Sequence, residues 1–208
     1  MAAKGCTMEI AYIDPETYSS VVNHPLRKEI LKALYRKALD GPITKQALAD
    51  DLGIDYHQLV YQLNNHLREF WTVAKEQKVR GTRMEFISPA HPNAIFIALG
   101  KERSIFVFDP LANIFGPMSS VGTRCDGCSP AEAARCMKFV ESTGSCSTRP
   151  TEAEVAVLKA NGRSKPLRPL DHAILCALKG FPSGENCVVN IPCEGCAFLR
   201  KTIKIQGI

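Results

Sequence analysis

The chain has 208 residues, 45% of them apolar and 23% charged, an ordinary globular balance that excludes wholesale disorder, collagen-like repeats and a coiled-coil rod. Lys+Arg of 26 against Asp+Glu of 21 leaves a formal charge of +5, a mild basic excess compatible with a nucleic-acid partner. No apolar run approaches the roughly 20 residues of a membrane span, and Met1 to Pro15 lack a basic stretch followed by an apolar core, so a soluble, cytoplasmic protein without a membrane partner is expected.

Residues 1–20 read as a polar lead-in with a short strand at Met8 to Ile13. From Asn23 the pattern turns helical: Leu26, Ile30 and Leu34 recur at spacings of four, Leu31 and Ala38 widen the stripe, and Asp40-Gly41-Pro42 stops it. Thr44 is an N-cap candidate for the next helix, whose Ala47, Leu48 and Leu52 are apolar and which ends at Gly53. Asp55 caps a third helix with a buried stripe of Leu59, Leu63, Leu67 and Phe70. Trp71 to Gln77 then reads as a strand, Lys78-Val79-Arg80-Gly81-Thr82 as a basic tip, and Arg83 to Ser88 as the return strand.

Next come two apolar runs, Ala94–Leu99 and Ser104–Phe108, around Gly100-Lys101-Glu102-Arg103. They read as a hairpin, with a buried helix as the alternative. Their hydrophobicity exceeds what one small hairpin covers, which points to a partner subunit or the C-terminal domain. Three helices followed by a basic hairpin make a winged helix-turn-helix arrangement. The expected fold is therefore α+β: a winged helix-turn-helix DNA-binding domain over 20–90, an apolar connecting and dimerisation segment over 91–118, and a small cysteine-rich domain over 119–208.

His24-Pro25-Leu26-Arg27-Lys28-Glu29-Ile30-Leu31 opens the first helix, and Ile43 to Ile54 (ITKQALADDLGI) leads into a helix with a polar head. Together these segments resemble the ArsR-type winged helix regulators of archaea and bacteria, over roughly residues 20–90. The resemblance implies that the third helix enters the major groove of double-stranded DNA and that the protein is a homodimer. The solvent side of that helix would carry Tyr56, His57, Gln58, Tyr61, Gln62, Asn64 and Asn65, where Gln and Asn pair with adenine edges and Tyr reaches phosphate or stacks. Lys78, Arg80 and Arg83 of the wing would serve backbone phosphates. Two departures from the family pattern stand out. His66 occupies the position seven after Leu59 where an apolar residue is expected, and residues 24–90 contain no cysteine for a metal-sensing motif. A winged helix that docks protein is the alternative use of the same pattern.

Nine cysteines are the strongest compositional feature. Cys6 stands alone near the N-terminus, and the other eight lie between Cys125 and Cys196. In a reducing compartment, clustered thiolates point to a metal or a cluster rather than to disulfides. Cys125-Asp126-Gly127-Cys128 and Cys193-Glu194-Gly195-Cys196 share one pattern, in which a two-residue spacer lets both sulfurs converge and glycine eases the turn. Cys136, Cys146, Cys176 and Cys187 complete the candidate ligand set. Sequential sets would join Cys125, Cys128, Cys136 and Cys146, and separately Cys176, Cys187, Cys193 and Cys196; a crossed arrangement would join the two tight pairs. Ser129-Pro130 starts a helix that carries Cys136, and Asp171 caps one that carries Cys176. Cysteines inside helices are commonly plain hydrophobes, so these two are the weakest ligand candidates. A helix from Thr151 to Lys159 has a capping box in Thr151 and Glu154.

Eight thiolates make two sets of four, enough for two clusters or two metals; the irregular spacings and this count favour iron–sulfur, of the 4Fe–4S kind, with structural zinc as the alternative and redox-active disulfides as a third reading. Phosphate loops, HExxH helices, nucleophile elbows and dinucleotide fingerprints are absent from the sequence, and no acid–base constellation stands out, so no enzyme is expected. The expected function is transcriptional regulation by a DNA-binding protein whose C-terminal cysteines sense redox or metal status. The rivals are a DNA-binding protein with structural zinc, and an electron-transfer or assembly subunit.

Overall fold

The computed structural model describes residues 5–79, 81–143, 151–163, 168–180, 187–192, 196, 198 and 199. The fold is mixed α+β, and the chain divides into two compact units. One consists of Met1–Pro15 together with Asn93–Ile208; the other, Glu16–Pro92, is inserted between those two stretches.

The inserted unit begins with helix α1 (Pro15–Val22) and α2 (Pro25–Lys37). A two-residue strand β2 (Ile43–Thr44) leads into α3 (Lys45–Leu52), followed by α4 (Tyr56–Asn65). Local chemistry sets these boundaries. The Thr44 hydroxyl accepts the Ala47 N–H, and Gly53 closes α3 in the left-handed region at φ 64°. The Asp55 carboxylate accepts from the backbone N–H groups of both His57 and Gln58, at 2.8 and 3.1 Å. Strands β3 (Trp71–Val79) and β4 (Thr82–Pro89) form a long antiparallel ribbon, with β2 added on the far side of β4. Ile30, Leu31 and Leu34 of α2 are fully buried, as are Leu48, Leu59, Leu63, Leu67, Phe70 and Ile87. The Trp71 indole N–H donates to the Leu63 carbonyl at 2.9 Å, tying the ribbon's base to α4.

Helix α1 is not anticipated by the pattern, because Val21 is its single buried residue and its Ser, Thr and Val content gives little helical preference. His66 is the C-cap of α4 with non-helical φ of −129°, which explains why the apolar stripe shifts by one residue. The helix has already ended, and a short 3-10 turn over Arg68–Phe70 carries Leu67 and Phe70 inward.

In the other unit, β1 (Gly5–Tyr12) precedes the insertion, and β5 (Ala94–Leu99), β6 (Ile105–Asp109) and β7 (Ile114–Pro117) follow it. Then come α5 (Met118–Val121), α6 (Pro130–Ser142), α7 (Glu152–Ala160), α8 (Pro169–Gly180) and β8 (Cys187–Pro192). The five-stranded sheet has the order β7-β6-β5-β1-β8, with β1 parallel to β5 and every other neighbour antiparallel. Met8, Ile10, Ile95, Ile97, Ile105 and Val107 pack against Met118, Val140, Leu158, Leu170 and Ile174 of the helices. Phe96, Phe108 and Phe115 stack in a row, with successive ring centroids 5.2 and 5.3 Å apart.

The strand expected at Met8 to Ile13 is present as β1, starting earlier, at Gly5; it is no part of a lead-in but an interior strand of this sheet. Residues 91–118 are not a connector, since they supply three of its strands. The hydrophobicity of Ala94–Leu99 follows from that position, because β5 has a strand on either side and five of its six residues are buried.

Asp55→Ala removes a cap that satisfies two backbone donors of α4, and is expected to cost about 1 kcal/mol in urea unfolding. An unchanged midpoint would show that the cap is dispensable.

Candidate functional site

Four of the cysteines line one recess in the unit built on β1: Cys125 and Cys128, Cys136 on α6, and Cys196 after β8. Met8, Arg124, Ala133, Pro169, Phe198 and Leu199 complete most of the wall, around a small cavity of about 40 Å³. The thiol of Cys125 is pushed up to about 12, first by burial and then by its neighbours Cys128 and Cys136. Cys136 is pushed up to about 11 by burial and by Cys196 and Cys128. Cys125 and Cys136 therefore resist ionising until a cation joins the sulfurs, and metal uptake would release their protons. The backbone N–H of Leu170, in the first turn of α8, donates to the Cys125 sulfur and eases its charge. Soft donors in a largely apolar wall fit an iron–sulfur cluster or zinc. Among the described residues, no three His, Cys, Asp or Glu side chains stand together as a single-ion site.

The loop that carries Cys125 and Cys128 is braced from three sides. It is a 3-10 turn over Arg124–Gly127, closed by the Cys128 N–H on the Cys125 carbonyl at 3.1 Å. Arg124 is buried in a bidentate pair with Asp109, both contacts at 2.7 Å; it also donates to Asn93 at 2.7 Å and lies over the Phe198 ring. Burial works against the Arg124 charge, and Asp109 outweighs it. The Asp126 carboxylate accepts the Thr123 N–H at 2.8 Å and is gripped by Arg163 through both terminal nitrogens, at 2.9 and 2.5 Å. Burial raises Asp126, yet Arg163 and Thr123 together hold its carboxyl below the usual carboxylate range.

Glycine matters at one position in this loop, and it is not the one inside the cysteine motif. Gly122 sits at φ 66°, and a Cβ there would meet the Asp126 carboxylate at 2.1 Å. Gly127 has open space around its Cα and needs no positive φ. The expected role of glycine in the Cys125–Cys128 turn is corrected accordingly: the turn is 3-10, open to any residue.

The structure divides the other cysteines. Cys136, ranked weak because it lies within a helix, lines the recess. Cys176 is half-buried against the hydrophobic core and does not line it. Cys187 opens β8, opposite Ile10. Cys146 and Cys193 lie outside the described residues. Of the sulfurs at the recess, Cys125, Cys128 and Cys136 belong to the first sequential set, and Cys125, Cys128 and Cys196 to the two tight pairs. Asp171 stands in the first turn of α8 rather than at its N-cap, and accepts the Arg168 N–H at 2.7 Å.

On the inserted unit, Tyr56, His57, Gln58, Tyr61, Asn64 and Asn65 form the exposed side of α4. Gln62 does not join them: it is 8% exposed and accepts the Arg27 Nε–H at 2.9 Å. Its rotation inward follows from its place beside Leu59 and Leu63 on the buried side. The same Arg27 donates to the carbonyl and hydroxyl of Ser20, at 2.9 and 2.5 Å, so it ties α1, α2 and α4 together. On the ribbon, Thr72 to Lys78 are all exposed, and Lys78 lies directly opposite Arg83. Arg83 is ion-paired with Glu76 on the neighbouring strand. Arg80 lies outside the described residues. Sequence reasoning passed over Arg124, Arg163 and Arg168. The one available signal was an acid inside the first cysteine motif with isolated arginines downstream.

No protein-family model matches the chain, and a search of curated proteins returns no match either.

Gly122→Ala is expected to break the Asp126–Arg163 contact and lower the melting temperature, whereas Gly127→Ala leaves it within about a degree. Thermal unfolding of both variants checks this, and equal behaviour would remove the assigned role of Gly122.

Proposed function

We propose that this protein is a DNA-binding transcriptional regulator whose thiol recess holds an iron–sulfur cluster and couples redox or metal status to DNA affinity. The observation that carries the reading is the gathering of Cys125, Cys128, Cys136 and Cys196, from three separate stretches of sequence, around one recess. Four thiols on an apolar wall suit a four-iron cluster, which would supply oxidant sensitivity when bound. Zinc in the same thiols would be structural.

The inserted unit is read as a winged helix-turn-helix domain of the ArsR type. Support comes from the α3–Gly53–α4 arrangement, the polar exposed side of α4 and the basic ribbon that follows. Lys78 stands opposite Arg83, which is itself ion-paired with Glu76, so two cations lie exposed on the ribbon where phosphates would be met. Tyr56, His57, Gln58, Tyr61 and Asn65 would face base edges, with the protein acting as a homodimer on two half-sites.

Protein purified without oxygen is expected to be brown, with broad absorption near about 400 nm and stoichiometric iron and sulfide. Cys196→Ser would lose the colour and the response of DNA binding to oxidant. Colourless protein with one zinc per chain would retire the sensing mechanism. For the DNA contact, Lys78→Ala and Arg80→Ala should each make the plot of log Kd against log salt shallower by about 0.9. Unaltered slopes would argue for a protein-docking use of the ribbon.

A further inference from the structure

A thiol site binds tightly when its sulfurs are held in place before the ligand arrives, and the groups that do this need not touch the ligand. Here the Cys125–Cys128 loop is a single 3-10 turn, too short to stabilise itself. Two arginines that do not line the recess hold it. Arg168 uses one nitrogen, Nη1, for both carbonyls of the loop, Cys125 at 2.5 Å and Cys128 at 2.8 Å. Arg163 spans the loop and α8: its Nη atoms grip Asp126, and its Nε donates to buried Asp171 at 2.7 Å. Asp171 in turn accepts the Arg168 N–H. The two arginines and two aspartates thus form one closed network, fastened to the first turn of α8. That turn also supplies the Leu170 N–H to the Cys125 sulfur.

We propose that Arg163 and Arg168 are the positioning residues of the thiol site: they draw the Cys125–Cys128 backbone to α8 so that both cysteines line the recess with Cys136 and Cys196 before any metal binds. The inference rests on the reading that the recess takes a metal or cluster. It assigns Asp126 to a structural ion pair rather than to ligation. The two arginines work differently. Arg163 needs the planar fork, because three nitrogens reach two carboxylates, whereas both side-chain hydrogen bonds of Arg168 pass through Nη1, with Nε only in loose ionic contact with Asp126 at 3.9 Å, so an ammonium can replace most of its work.

The test is an anaerobic Co²⁺ titration of the full chain, followed by sulfur-to-cobalt charge-transfer absorption, with melting of the metal-free protein as control. Arg163→Ala and Arg168→Ala are expected to weaken Co²⁺ binding on the order of 10- to 100-fold. Arg168→Lys should restore most of the affinity, and Arg163→Lys should not. Wild-type affinity in both alanine variants overturns the proposal, as does equal rescue by lysine at the two positions. If an alanine variant does not fold, the two lysine variants decide on the same criterion. A wild-type chain that takes up neither Co²⁺ nor iron overturns the metal reading itself, an outcome distinct from failure of the variants.

Discussion

The structure depends on one strand pairing. β1 and β5 lie side by side in parallel register, Glu9 opposite Ala94 through Tyr12 opposite Ile97, although the whole inserted unit separates them in sequence. Closing so long a loop costs only slightly more than closing a short one, because the entropy grows with the logarithm of its length. Folding of the insert shortens the gap further by bringing its own ends into a compact body. With the pair formed, β8 can add to the outer edge of β1, and the helices have a continuous apolar face to cover.

The thiol recess inherits this dependence. Met8 of β1 forms part of its wall, and Cys196 reaches it from the segment that follows β8. Neither can be in place until the two ends of the chain have joined one sheet. The recess is thus a long-range construction, and its local loop is stabilised by charge pairs rather than by secondary structure. Buried ion pairs bring little net stability, because desolvation offsets most of the attraction, but a broken one leaves an uncompensated charge. Such a network gives one geometry in preference to many.

The sequence was most legible where structure is local. Thr44, Gly53, Asp55, Ser129 and Thr151 mark helix boundaries through hydrogen bonds spanning two to four residues, and each does so in the folded chain. Both hairpins were legible for the same reason. Reading broke down along α4, which ends at Asn65, before the Leu67 and Phe70 of the expected stripe, and at Gln62, which shares the buried side with Leu59 and Leu63. Its partner there, Arg27, lies 35 residues away on α2, beyond the reach of a local pattern. Reading broke down again at Gly127, where the cysteine spacing was informative and the glycine was not.

By itself, then, the sequence determined the mixed α+β class, the helix caps, the two ribbons and the concentration of thiols after residue 124, since each depends on neighbours along the chain. Tertiary structure alone decided that the N-terminal strand lies inside a sheet, between β5 and β8. It also decided that Cys136 and Cys196 share a recess with Cys125 and Cys128 while Cys176 turns to the core. Spacing within a motif reports which sulfurs a short turn can bring together. Which distant sulfurs join them depends on how strands and helices pack, and that arrangement is a property of the closed sheet.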